Sequence, residues 1–156
     1  MELATIPMEE MAVLLQTQLT HGGIANLVVT GNSMYPMLFH RRDSVTLATV
    51  SQPLRKGDLI LYRRENGTYV LHRIVTKPKD GAFLCAGDNQ WIREHVCSQQ
   101  VIARVIRFVR KGKPHEASAL SHRIYIWLWI ALFPLRKPLI RLRRSIGRLR
   151  RKKKEQ

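Results

Sequence analysis

A small, mostly antiparallel β-barrel or sandwich with a helix before it and a helical tail after it is the fold that this sequence predicts, on three observations. Six short runs of β-type residues follow one another, separated by turn signals and not by helical patterns. The 156 residues, 45% of them hydrophobic, suffice for one core and leave little room for a second. The charge is also uneven. Of the 27 Lys and Arg and 11 Asp and Glu, twelve cations and one acid fall in residues 121–156, which carry +11 and leave the first 120 residues at +5. Body and tail are therefore separate electrostatic objects.

Residues 7–19 read as a short amphipathic helix. Pro7 suits a first turn, Glu9 and Glu10 suit the positive end of the helix dipole, and Met11, Leu14, Leu15 and Leu19 recur at helical spacing. Gly22-Gly23 ends it, which sets an N-terminal unit at 1–23. The strands are expected at 27–30, 44–50, 58–63, 68–76, 82–86 and 101–110. Glu65-Asn66-Gly67 marks a hairpin, and Pro78-Lys79-Asp80-Gly81 marks another turn. Lys111-Gly112-Lys113-Pro114 punctuates the chain, so the body is placed at 24–113 and the tail at 114–156.

In the tail, Ile124 to Phe133 is apolar all round and then meets Pro134, Arg136 and Lys137. A span needs roughly 20 such residues, so this run is too short to cross a bilayer unaided. Leu139, Leu142, Ile146 and Leu149 among arginines continue it as a basic amphipathic helix. Tyr125, Trp127 and Trp129 beside that charge predict a segment lying in an anionic membrane interface, which the body should not need in order to fold. The competing expectation is an apolar helix docked on the body or on a partner. The first seven residues have neither the basic nor the apolar stretch of a signal peptide. A cytoplasmic protein held peripherally on the membrane by its C-terminal segment is therefore expected.

Cys85 and Cys97 show no C-x-x-C spacing and no histidine cluster, so neither metal nor disulfide framework is suggested, and no cofactor motif is present. Chemistry is better sought in Gly31-Asn32-Ser33-Met34-Tyr35-Pro36, a turn that closes the apolar run Leu27-Val28-Val29 and presents a hydroxyl. A serine hydroxyl is a poor nucleophile near neutral pH and needs a base within hydrogen-bond reach, with donors for the oxyanion formed on attack. His72 is the best-placed base, on a strand face shared with Val70 and Ile74. His21, His40, His95, His115 and His122 lie in turns or polar stretches.

Four motifs in order, Gly31-x-Ser33-Met34-x-Pro36, Gly57-Asp58-Leu59-Ile60-Leu61-Tyr62, His72-Arg73-Ile74-Val75 and Gly87-Asp88-Asn89, resemble the superfamily of type I signal peptidases and SOS-type self-cleaving (LexA-like) repressors. The likeness covers about residues 27–110. It implies a β-rich serine endopeptidase with Ser33 as nucleophile, acting on a peptide or protein precursor with small side chains near the cleaved bond. His72-Arg73 resembles the endoplasmic-reticulum type, in which a histidine is the base. The resemblance also implies an acidic partner for that histidine. Asp88 matches the motif itself and is preferred, and Glu94 stands where the endoplasmic-reticulum type carries an aspartate. Many signal peptidases have a serine two residues before the nucleophile, and here that position is Gly31. Oxyanion donation then falls to the backbone N–H groups of Ser33 and Asn32. An N-terminal anchor and a helix-turn-helix domain, usual in one or other branch, are not recognised.

Two other readings stay open: a catalytically silent peptide-binding module of the same fold, and a basic membrane- or nucleic-acid-binding protein. The last has only net charge for it, because no stacking aromatics are interleaved with the basic run.

Overall fold

Apolar residues at both parities along the central strands call for a sheet covered on both faces. The structure, a computed structural model, describes residues 17–19, 22–77 and 81–142. Its strands are β1 (Ile24–Val28), β2 (Ser44–Ala48), β3 (Leu59–Arg63), β4 (Tyr69–Thr76), β5 (Phe83–Ala86), β6 (Glu94–Val96), β7 (Val101–Arg110) and β8 (Lys113–Glu116). They form one antiparallel sheet in the order β1-β2-β7-β3-β4-β5-β6, with β8 also paired to β7. The strand-rich antiparallel fold agrees with the sequence. Closure into a barrel does not, because β1 and β6 end the order unpaired with each other. The long β7 meets β3 through its first residues and β2 through its later ones, with register shifts at Thr46/Leu47 and Leu61/Tyr62 that bend the sheet.

Period-2 alternation along β3 divides the core. Leu59 and Leu61 face Met34, Met37, Leu38, Leu47 and Val105, whereas Ile60 and Tyr62 face Ile74, Phe83, Cys85 and Val96. Deleting a buried Ile or Leu side chain from either layer is expected to cost about 2–5 kcal/mol. The Glu65-Asn66-Gly67 hairpin forms as expected, with Arg64 N–H donating to Thr68 O and Gly67 N–H to Arg64 O, both at 2.9 Å. The helix expected at 7–19 lies outside the described residues except for 17–19, which are helical. It stops where Gly22 and Gly23 donate to the carbonyls of Leu19 and Gln18. The turn expected at 78–81 is outside them except for Gly81.

Two expectations about the end of the chain are corrected. Lys111-Gly112 does not close the body; it turns β7 into β8, whose polar residues carried no strand signal. Nor is the apolar run a detached tail. Helix α1 (Leu120–Ala131) lays His122, Tyr125 and Trp129 on the body, and their rings continue a ladder from Phe108 with centroid spacings of 5.0, 6.1 and 5.7 Å. A short turn at Phe133–Leu135 and a helical stretch at 136–142 follow, and Phe133 and Ile130 pack on Val75 and Ala86. Residues 143–156, where the basic helix was expected to continue, lie outside the described residues. No helix among the described residues is long and apolar enough to cross a membrane.

Candidate active site

Ser33 sits in the loop between β1 and β2, whose shape the sequence sets locally. Gly31 has φ +82°, where an L side chain is strained, and its N–H donates to His40 Nδ1 at 2.8 Å. A serine at 31, as in many signal peptidases, would have to adopt that strained backbone. At the far end of the loop the buried Asp43 accepts from the N–H groups of Phe39 and Lys111 at 2.8 and 3.0 Å. Burial works against its charge, but those bonds and the Arg42 guanidinium outweigh it and hold the carboxyl down at about 2. Among the described residues, the N–H groups of Asn32 and Ser33 and the Ser33 hydroxyl have no hydrogen-bond partner. Both donors are thus available to an oxyanion.

Gly87-Asp88-Asn89 clamps this loop from behind. Asn89 donates from its N–H to Ser33 O at 2.7 Å and from its side-chain amide to Asn32 O at 3.1 Å. Gly87 packs so closely on Ser33 that a Cβ there would collide with the Ser33 carbonyl. The motif fixes the backbone at Ser33.

His72 and Ser33 line one cleft of about 240 Å³ with Val29, Met34, Tyr69 and Leu71. They share no hydrogen bond among the described residues. Behind the imidazole stands Tyr62, whose hydroxyl lies 3.1 Å from His72 Nδ1 and donates to Glu94 Oε2 at 2.9 Å. Arg64 holds Glu94 through Nε–Oε2 at 2.8 Å and a second contact from Nη2 to Oε1. A phenol has one proton to give, so a hydroxyl that donates to Glu94 accepts from Nδ1–H. The proton therefore rests on Nδ1, and Nε2 keeps its lone pair. Burial lowers the His72 pKa to about 4 against the attraction of Glu94, so the ring is neutral at physiological pH. Burial raises the Glu94 carboxyl, but the bonds from Arg64 and Tyr62 more than reverse this and keep it below the usual range.

The preference for Asp88 as the partner of His72 is overturned by this arrangement. Asp88, wholly buried, forms a bidentate pair with Arg73, both contacts at 2.9 Å, and accepts from Tyr125 Oη at 3.1 Å. Its carbonyl accepts from Trp129 Nε1 at 3.1 Å. Burial opposes the Arg73 charge and Asp88 more than restores it. Arg136, also buried, donates to the carbonyls of Gly87 and Gln90. Tyr125 and Trp129, expected among lipid headgroups, thus bond to Asp88 in the clamp behind Ser33.

Ser33 and His72 are brought to one cleft and Glu94 reaches His72 through Tyr62, whereas Asp88 turns to Arg73. Tyr62 and Arg64 were missed. Counting back across the Glu65-Asn66-Gly67 hairpin places Tyr62 on the face of His72, so Tyr62 was within reach of sequence reasoning. Among the described residues no group of three or more His, Cys, Asp or Glu could hold a metal ion. Compared with known proteins, the chain matches no family model, and no curated protein matches it in sequence.

Proposed function

We propose that this protein is a serine endopeptidase of the signal peptidase and LexA-like kind, in which Ser33 is the nucleophile and His72 the base. The observation that carries the reading is the shared cleft of Ser33 and His72, with His72 tied at Nδ1 so that Nε2 alone remains to take a proton. Ser33 Oγ attacks the peptide carbonyl carbon and its proton passes to Nε2. The carbonyl oxygen, now an anion, is met by the N–H groups of Ser33 and Asn32. Collapse returns that proton to the departing amine and leaves an acyl-enzyme, which water hydrolyses through the same base. Glu94, acting through Tyr62, stabilises the imidazolium that exists between the two transfers. The small size of the cleft, about 240 Å³ and walled by Val29 and Leu71, suits small side chains beside the cleaved bond.

A silent peptide-binding module is the second reading, favoured by the missing direct bond between Ser33 and His72. Unliganded active sites often tighten only with substrate. A fluorophosphonate probe decides between the two readings. The full chain should be labelled at Ser33, and Ser33→Ala and His72→Ala should not be labelled. A folded wild-type chain that resists the probe overturns the peptidase.

A further inference from the structure

A cleft of about 670 Å³ opens between the loop before β3 and helix α1, away from Ser33. Arg55, Lys56, Arg104 and Arg123 line it, and the single carboxylate there, Asp58, already accepts the Arg55 N–H at 2.8 Å. Among the described residues none of the four cationic side chains has a hydrogen bond or ion pair. Ile126, Trp127 and Ile130, on the same helix as Arg123, add an apolar wall. From its rim the apolar surface runs outward along α1, where Leu120, Ile124, Trp127 and Leu128 are exposed by 70, 53, 70 and 48%.

Unpaired cations beside an exposed apolar helix face complement a ligand that is anionic at one end and hydrocarbon at the other. We propose that the cleft receives the phosphate of an anionic phospholipid, with α1 resting its outer face on the acyl chains of the same leaflet. The continuing chain agrees in charge, because residues 143–156 hold eight Lys and Arg against one Glu. The bilayer then contacts the body as well as the tail, and the site is independent of the peptidase reading.

The test uses the full chain sedimented with vesicles of phosphatidylcholine alone or of phosphatidylcholine and phosphatidylglycerol in equal parts. Binding is expected only to the second, with a blue shift in tryptophan emission that Trp127→Phe removes. Each cation at an anionic surface is worth about 1 kcal/mol, so Arg104→Gln with Arg123→Gln should weaken binding about 25-fold. Arg41→Gln with Lys113→Gln removes equal charge outside the cleft and should weaken it by less than about threefold, since the effect falls off within a Debye length. Equal losses in the two double variants overturn the cleft, as does binding without the Trp127 shift. Displacement by millimolar glycerol phosphate makes it a free-anion site and overturns the lipid, and no binding to either vesicle overturns the proposal outright.

Discussion

His72 and Arg73 are neighbours in sequence and point to opposite faces of β4. The pleat of β4 sends His72 toward Tyr62 and Glu94 in a layer open to the Ser33 cleft, and Arg73 toward Asp88, Tyr125 and Gly57 O in a sealed one. Each side chain finds a carboxylate, but the two carboxylates live differently. The Glu94 side chain is 26% exposed and held by hydrogen bonds that leave a neutral base beside it, whereas Asp88 is wholly buried against a permanent cation. The first arrangement can change protonation in the course of a reaction. The second cannot, and serves to fix the loop that carries Ser33.

Removing the nucleophile should show the largest effect on the chemical side alone. Ser33→Ala is expected to lower turnover by at least about 10⁴-fold, as loss of an essential dyad member commonly does. Ser33 Oγ holds no partner, so the thermal midpoint should hardly move. A double variant with His72→Ala should be no slower than Ser33→Ala, because the two act as a unit. Additive losses would separate Ser33 from His72.

The sealed side should respond in the opposite sense. Arg73→Met leaves Asp88 as a buried unpaired charge, which costs about 3–5 kcal/mol of stability. Asp88→Asn should likewise show first in chemical denaturation, and in the probe reaction only as folding fails. If instead Asp88→Asn kept full stability and lost turnover, the division between the two carboxylates would collapse.

The motifs point to Ser33 and His72 because a turn hydroxyl and a strand histidine are local features. Which acid lies near the histidine is not local. It follows from the register that runs Ile74 to Cys85 to Glu94, and β6, three residues long with a charge at its head, carries no strand pattern of its own. The outcome for α1 was hidden for another reason. A helix that is apolar all round has no marked face, so nothing in 124–133 says that Tyr125 and Trp129 turn inward while Trp127 turns outward. Motif position favoured Asp88, yet what that motif does here is anchor Arg73 and clamp Ser33.

Acid should separate the sides by its effect on two histidines. Burial depresses both His72 and His122 to about 4, the latter with help from Arg73. Below about pH 6.5 the unfolded chain takes up protons that the folded chain refuses, so stability falls as pH drops from there to about 4. Each ring contributes on the order of 3 kcal/mol to that loss. Turnover per folded molecule should stay level from neutral pH down to about 5 and then fall through the folded His72 value. An acid limb near 6.5 would mean that His72 is far better solvated than its burial implies.

Tyr62→Phe should produce the smallest and most specific change. It removes the hydroxyl that receives Nδ1–H and passes the influence of Glu94 to the imidazole, while Arg64 still holds that carboxylate. Stability should therefore fall by only about 1–3 kcal/mol, the range for a hydrogen-bond partner lost from a buried polar group. Turnover has more to lose, because the imidazolium forms only during the reaction and a bond that counts only then acts on kcat. A loss of roughly tenfold to hundredfold in kcat, with KM nearly unchanged, corresponds to about 1.5–3 kcal/mol for a hydrogen bond to a charged group. Glu94→Gln should reduce kcat similarly, and with Tyr62 already Phe it should add little. If Tyr62→Phe raised KM and left kcat alone, the tyrosine would be a wall of the substrate cleft, and Glu94 would have to reach His72 directly across the 3.5 Å that separates Oε1 from Nδ1.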